Sequence, residues 1–447
     1  VKCIEDEIPF DLPEGWAWVR LGNLSAAIQY GLSNSAEPQG THRLLRITDI
    51  QDGKVDWNAV PFTTVNDPEA YLLKTGDIVF ARTGATVGKS FLITETPYPS
   101  VYASYLIRIR LLGSLSPEYI YQFFDSACYW SQITDKSVGV GQPNCNGTSL
   151  KELFIPLPPI SEQLRIVPTA QALLAYVAKI DAEKKSLLSI IMATKSKILD
   201  LAIRGQLIPQ DPNDEPASVL LERIRAEKEE LIKQGKIKRD KKESVIFRGE
   251  DNSYYEKMAD GKLHCLDNQL PFELPDGWEW CNLSMIGTTN IGLTYRPTNI
   301  EPDGVIVLRS CNIVNDQVDL SDLVRVKTTI RENQYVQKND ILICARNGSR
   351  ALVGKCALIP DLGEPASFGA FMAIYRTEYF EYIVHYLRSS FFRSVFDDSN
   401  STAINQLTQD MLKRAIVPLP PVFEQRRITE TIDAMLFELN QMEKSLI

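Results

Sequence analysis

The chain is poor in the residues that build metal and redox centres. It holds three His in 447 residues, and its eight Cys stand singly at Cys3, Cys128, Cys145, Cys265, Cys281, Cys311, Cys344 and Cys356. With no C-x-x-C pair, a zinc site of ordinary ligand spacing is not expected. Scattered thiols suit a reducing compartment, so the expected location is cytoplasmic. No apolar run reaches the roughly 18 residues of a membrane span. The residues after Val1 are polar and do not read as a signal peptide. Positive charge is also short: 48 Lys and Arg face 57 Asp and Glu, for a net charge of -9. Such a chain meets nucleic acid only through a local basic face, often helped by a partner.

Several catalytic signatures are missing. The N-P-P-Y or D-P-P-Y run of an adenine-type amino-methyltransferase does not occur, because Pro158-Pro159 and Pro420-Pro421 follow Leu and precede Ile or Val. Thr83 to Ser90 has the look of a phosphate loop but lacks the first Gly at the required spacing, and its second copy, Gly348 to Cys356, is spaced differently again. No G-x-S-x-G or H-E-x-x-H is present. Carboxylates are plentiful, yet no compact acidic cluster marks a nuclease. No cofactor is expected.

What is present is a duplication. Pro9-Phe10-Asp11-Leu12-Pro13-Glu14-Gly15-Trp16 returns as Pro271-Phe272-Glu273-Leu274-Pro275-Asp276-Gly277-Trp278, about 262 residues on. Pro156-Leu157-Pro158-Pro159 with Glu162-Gln163 returns as Pro418-Leu419-Pro420-Pro421 with Glu424-Gln425. The same offset relates Cys3 to Cys265. A repeat of this size is a whole domain. Short β-like runs fill each copy, among them Asp77 to Ala81 and Asp340 to Ala345, and a helical stretch near Pro117 to Thr134 matches one near Tyr379 to Ser394. Each copy therefore reads as a compact α/β domain.

After each P-L-P-P run the period changes. Ile166, Ala170, Leu173, Val177, Ile180, Lys184, Leu187, Ile191, Thr194, Ile198 and Leu201 alternate steps of four and three, a heptad seam. Ile428, Ile432, Met435, Leu439, Met442 and Leu446 continue it in the second copy. Two long helices packed on each other are expected, the first on the order of 60 Å long, with Pro168 kinking it or delaying its start. Gly205 reads as a C-cap, Ala217 to Gln234 as a further helix, and Lys236 to Lys242 as a charged stretch, either solvated linker or phosphate contact.

The candidate binding residues lie on repeated loops. A strand delivers Arg82, Thr83 and Gly84, then Lys89; its counterpart delivers Arg346, Asn347 and Gly348, then Lys355. Arg can pair with guanine or phosphate, Asn with adenine, and Gly lets a backbone approach closely. The rival reading is a hairpin with solvated charges. Arg46 and Arg309 sit at equivalent places in apolar runs, and two readings stand open: a DNA contact, or an ion pair with a carboxylate such as Asp49. The polar loops Gln142 to Asn146, which contains Asn144, and Asn405-Gln406 either meet base edges or turn the chain.

Taken together, L-P-[ED]-G-W, [GN]-D-I followed after two or three residues by A-R-x-G with a following Gly-Lys, and P-L-P-P-x-x-E-Q, duplicated in order, resemble the specificity subunit of a type I restriction-modification system. The stretch Leu201 to Pro209 resembles that family's central region. The resemblance implies a mixed α+β fold: two similar target-recognition domains separated by long antiparallel coiled-coil helices. The expected boundaries are 1–158 and 263–420 for the domains, 159–207 for the central helix, 208–262 for a helical, basic linker and 421–447 for the last helix. It implies a non-catalytic chain that binds double-stranded DNA, each domain reading one half of an asymmetric bipartite target. The helices would set the gap and dock two adenine-methylating modification subunits, with restriction subunits joining the assembly. A last helix ending at Ile447 is short for that pattern. The alternative is a coiled-coil scaffold indifferent to DNA sequence; a fused methyltransferase or nuclease is disfavoured by the missing motifs.

Overall fold

A computed structural model describes residues 7–51, 53–136, 144–237, 244–397 and 406–446. Cys3, Gln142, Pro143, Asn405 and most of the charged Lys236 to Lys242 stretch lie outside them. The chain divides into two compact units, Val1–Ala182 and Glu183–Ile447.

In the first unit the opening and closing segments of the repeat meet. Strand Ala17–Arg20 pairs antiparallel with Phe154–Leu157, setting Trp18 opposite Pro156. The duplicated motifs form the clasp around this pair. Gly15 takes φ +86°, a left-handed turn open to glycine, and Trp16 N–H closes the turn on the Pro13 carbonyl. The Trp16 indole N–H then reaches Glu162 Oε2 at 3.2 Å, and Gln163 donates to the Pro158 carbonyl at 2.9 Å. The second unit repeats each piece. Glu279–Asn282 pairs with Ile416–Leu419, Trp278 donates to Glu424 Oε2 at 3.1 Å, and Gln425 donates to the Pro420 carbonyl at 2.8 Å. The L-P-[ED]-G-W and P-L-P-P-x-x-E-Q motifs are thus two halves of one closure.

Inside each clasp sits a four-stranded antiparallel sheet. Its order in the first unit is Ser25–Tyr30, Leu106–Leu111, Ile78–Ala81, Ser90–Leu92. In the second it is Thr288–Ile291, Met372–Arg376, Ile341–Cys344, Cys356–Leu358. Side chains alternate across each sheet. Ile78, Phe80, Ile107 and Ile109 face helices Pro117–Phe123 and Ala127–Lys136, while Val79, Ala81 and Leu106 face a second layer with Leu45, Trp57 and Tyr102. In the second unit Ile341, Ile343 and Tyr375 face helix Phe380–Arg388, and Leu342, Cys344 and Ile374 face the other way. That second layer is a three-stranded sheet in both units: Phe62–Thr63, His42–Leu45, Ser100–Tyr102, and Val324–Val326, Ile300–Leu308, Ala366–Phe368.

The expected helix near Pro117 to Thr134 is two helices, broken around Phe124 to Ser126. The 208–262 region also differs from a purely helical linker. It holds helix Ala217–Lys233 and then a three-stranded antiparallel sheet, Ser244–Arg248, Tyr254–Met258 and Leu263–Cys265. These strands are short and mix charged with apolar residues, so their period-2 signal is weak. Asn282 anchors the sheet, donating to the Ser244 carbonyl at 3.2 Å.

The long helix runs Ile160–Ile203, 44 residues, roughly 66 Å at 1.5 Å per residue, with Pro168 inside it. It ends on Gly205 at φ +66°, where Gln206 N–H bonds Leu201 O and Gly205 N–H bonds Ala202 O, a Schellman closure. The last helix, Val422–Leu446, has 25 residues. Within the second unit it runs antiparallel to the end of the long helix. Lys195 pairs with Glu443, and Gln210, just past the long helix, lies 3.4 Å from Glu424. Ile191 and Ile198 of the seam are buried, and Ile198 shares a core with Ile428 and Ile432. Leu173, Val177 and Ile180 of the same seam are 61%, 55% and 62% exposed. The seam is therefore covered at its second-unit end and bare along its middle.

Candidate functional site

The Arg loops are built alike in both units, and most of their motif is architecture. Asp77 and Asp340 are buried, and each accepts a two-armed bond from an arginine on the neighbouring strand: Arg110 at 2.7 and 2.6 Å, Arg376 at 2.6 and 2.7 Å. These carboxylates push the guanidinium pKa values up. The residue before each Asp is left-handed, Gly76 at φ +88° and Asn339 at φ +70°. That conformation explains why the motif alternates Gly with Asn. The strand beyond is buried and ends by delivering the arginine.

Arg82 lies at the mouth of a small polar cluster. Its carbonyl accepts from Cys145 N–H at 2.9 Å, and Thr83 bridges to Asn144 across the loop. The sequence places Asn144 far from Arg82-Thr83; the fold brings them together. The Arg82 guanidinium sits 4.8 Å from the centre of the Tyr30 ring, whose hydroxyl accepts from Gly147 N–H at 2.8 Å. Arg82 Nε and Asn144 Oδ1 are buried without a hydrogen-bond partner among the described residues. A buried polar atom left bare costs about 1–3 kcal/mol. Gly84, at φ +73°, turns the loop, and Lys89 is exposed beyond it.

The second unit repeats the plan with its arginine one residue further along, Ala345 and Arg346 taking the backbone places of Arg82 and Thr83. Arg346 is exposed and bridges to Gln406, and Leu407 N–H bonds the Ala345 carbonyl at 2.7 Å. Asn347 donates to Ser310 Oγ at 3.3 Å and accepts from Ser349 N–H at 3.0 Å. Gly348 is exposed at the tip. Lys355 is turned back, its ammonium donating to the Ile313 carbonyl. Among the described residues, no carboxylate lies within ion-pairing distance of Arg82, Lys89 or Arg346.

Arg46 and Arg309 are ion-paired, and the turn after Arg309 adjoins the second-unit loop through Ser310 and Ile313. Arg46 closes a fork on Asp49, with Nε and Nη2 at 3.0 and 2.7 Å from its two oxygens. Arg309 reaches Asp322 Oδ2 at 2.9 Å. Their backbone N–H groups cap the short turn that follows, on Asp49 and Asn312. The ion-pair reading of the sequence accounts for both contacts. Asn146, in the polar loop, caps helix Gly147–Lys151 through Ser149 N–H.

The family profile for the type I restriction modification DNA specificity domain matches residues 13–190 and 275–447. The chain belongs to this family. It carries two copies of the specificity domain. It is 25% identical to the Escherichia coli type I restriction enzyme EcoAI specificity subunit, over 98% of this chain and 80% of that one. The EcoKI specificity subunit of Escherichia coli is 32% identical over 38% of each chain. The fold matches a chain of a solved type I R-M assembly with a TM-score of 0.64 at 18% identity, covering 98% of this chain and 94% of that one. It matches the HsdS subunit of Thermoanaerobacter tengcongensis with a TM-score of 0.54 at 18% identity, covering 98% and 92%. The two profile matches contain both clasps and both Arg loops, and the three-stranded sheet at 244–265 falls between them.

Two neighbours of the specificity-domain loops escape a reading by motif. Tyr105 and Phe371 occupy matching turns: the Tyr105 carbonyl accepts from Arg82 N–H at 3.1 Å, and the Phe371 carbonyl from both Ala345 N–H at 2.9 Å and Arg346 N–H at 3.0 Å. The Ser104-Tyr105-Leu106 and Ala370-Phe371-Met372 runs share only an aromatic between small and apolar neighbours. Such a triplet is too short to stand out. Among the described residues no group of His, Cys, Asp or Glu is placed to hold a metal ion, and no helix is long and apolar enough to cross a membrane.

Proposed function

We propose that this chain is the non-catalytic DNA-reading subunit of a type I restriction-modification assembly, acting in the cytoplasm. Each specificity domain reads one half of an asymmetric bipartite target in double-stranded DNA. The observation that carries this is the duplicated loop with divergent polar tips: Arg82, Thr83 and Asn144 in one domain, Arg346, Asn347 and Gln406 in the other. Identical scaffolds offering different donors and acceptors suit two different base sequences. Lys89 and the backbones of Gly84 and Gly348 supply phosphate-side contacts. Lys355, Arg46 and Arg309 hold the loops in shape, since each is already bonded within the chain.

The bare middle of the long helix supports docking of two modification subunits, which bring the adenine-methylating chemistry and much of the positive charge that a chain of net charge -9 lacks. Restriction subunits join through that core. The test is half-site binding by the assembled complex. Arg82→Ala is expected to weaken binding to one half-site by roughly 5- to 150-fold, the worth of about 1–3 kcal/mol for a base contact, and Arg346→Ala to weaken the other. Equal loss on both half-sites from either variant would overturn the assignment of one domain to each half.

A further inference from the structure

Beside each reading loop, the two domains hold an aromatic ring out of the protein in the same way. Tyr105 is 65% and Phe371 62% exposed. Lone exposed apolar side chains are ordinary, so exposure by itself decides nothing. The construction behind the rings is the informative part. Each ring sits in a tight turn closed by a backbone bond, Leu106 N–H to Ala103 O and Met372 N–H to Gly369 O, both at 2.8 Å. One side of the turn is pinned by the arginine amide. The other side is gripped by a Gly-Leu pair: Leu32 N–H bonds Tyr102 O at 2.8 Å and Leu293 N–H bonds Phe368 O at 2.6 Å. The glycines are required by the closeness of this grip. A Cβ on Gly31 would lie 2.3 Å from the Tyr102 carbonyl oxygen, and one on Gly292 2.2 Å from that of Gly369.

A turn fixed on both sides presents its ring with little conformational freedom left to lose on binding. The backbone of each ring residue bonds the amide of the arginine that would meet a base, although in the first domain the Arg82 guanidinium itself lies over Tyr30. In the second domain the Arg346 guanidinium lies 5.6 Å from the centre of the Phe371 ring. A guanidinium reads the acceptors of guanine, whereas an aromatic face matches the one apolar group on a major-groove edge, the thymine methyl. Because one copy carries Phe, the shared element is the ring and not a hydroxyl.

We propose that Tyr105 and Phe371 are specificity-determining residues, each packing its ring on the C5 methyl of a thymine next to the base pair met by the adjacent arginine. The proposal rests on the base-reading function above. It is tested with the full complex, after its target has been mapped, by measuring binding at fixed salt to the target duplex and to duplexes in which the thymines of one half-site are replaced by deoxyuridine. Tyr105→Ala is expected to lose about ten-fold or more on its half-site, as a mismatched base pair does, and Tyr105→Phe to recover most of that loss. Phe371→Ala does the same at the other half-site. Deoxyuridine lowers wild-type binding by a similar factor and costs the alanine variant nothing further. Wild-type affinity and an unchanged target in both alanine variants would overturn the proposal, as would a deoxyuridine penalty that persists in them. A wild-type complex with no sequence preference would instead overturn the base-reading function. Both rings lie at exposed turns, and unchanged thermal unfolding of the variants separates lost contact from lost fold.

Discussion

At the scale of single residues, the repeated motifs divide into those that hold the fold and those that face outward. Trp278 and Glu424 belong to the first kind. Glu424 is only 1% exposed, and burial raises its pKa above the usual carboxylate value of 4.5, although the bond from Trp278 opposes the shift. A buried acid with a raised pKa holds its proton more tightly in the folded chain than in the unfolded one. Its contribution to stability is therefore greatest in acid and falls as pH climbs from about 4.5 through the raised value. Glu424→Gln keeps an acceptor for the Trp278 indole and has no charge to bury. Urea denaturation from pH 4.5 to 7 is expected to show the variant gaining on the wild type as pH rises; parallel curves would contradict the account. The sequence made Glu424 visible as part of a motif, but its bond to a tryptophan 146 residues away is long-range and has no local signature. The same holds for Asn144, which only the fold sets beside Thr83. Arg82 and Arg346 were legible, because a charge that ends a buried strand is unusual by pattern alone.

At the scale of elements, periodicity located the long helices well and their burial poorly. The heptad seam from Ile166 to Leu201 is real helix, yet a seam predicts a partner without saying where the partner stops. The last helix covers the second-unit end, where Ile191 and Ile198 are buried. The contrast is measurable by substitution. Ile432→Ala, at a fully buried position, is expected to cost about 2–5 kcal/mol, whereas Leu173→Ala, 61% exposed, changes the stability of the chain alone by less than about 0.5 kcal/mol. Chemical denaturation reads both, and a large loss from Leu173→Ala in the isolated chain would show that the middle of the seam is covered. The three-stranded sheet at 244–265 was not legible at all. Its strands carry Arg248, Glu256, Lys257 and His264 among their apolar residues, and its cohesion comes from pairing and from the Asn282 anchor.

At the scale of the whole molecule, one architecture occurs twice with different tips. The clasp, the four-stranded sheet and the buried Asp–Arg pair recur, while the bridged loop pair changes from Thr83 with Asn144 to Arg346 with Gln406. Two identical readers would select a symmetric target; two divergent readers select an asymmetric one. The most direct measurement is a map of N6-methyladenine in cells that express the modification subunits, with and without this chain. The account predicts one methylated motif, split into two unlike halves by a fixed gap, that disappears when the chain is removed. A map that does not change, with the modification subunit present and active, would contradict it.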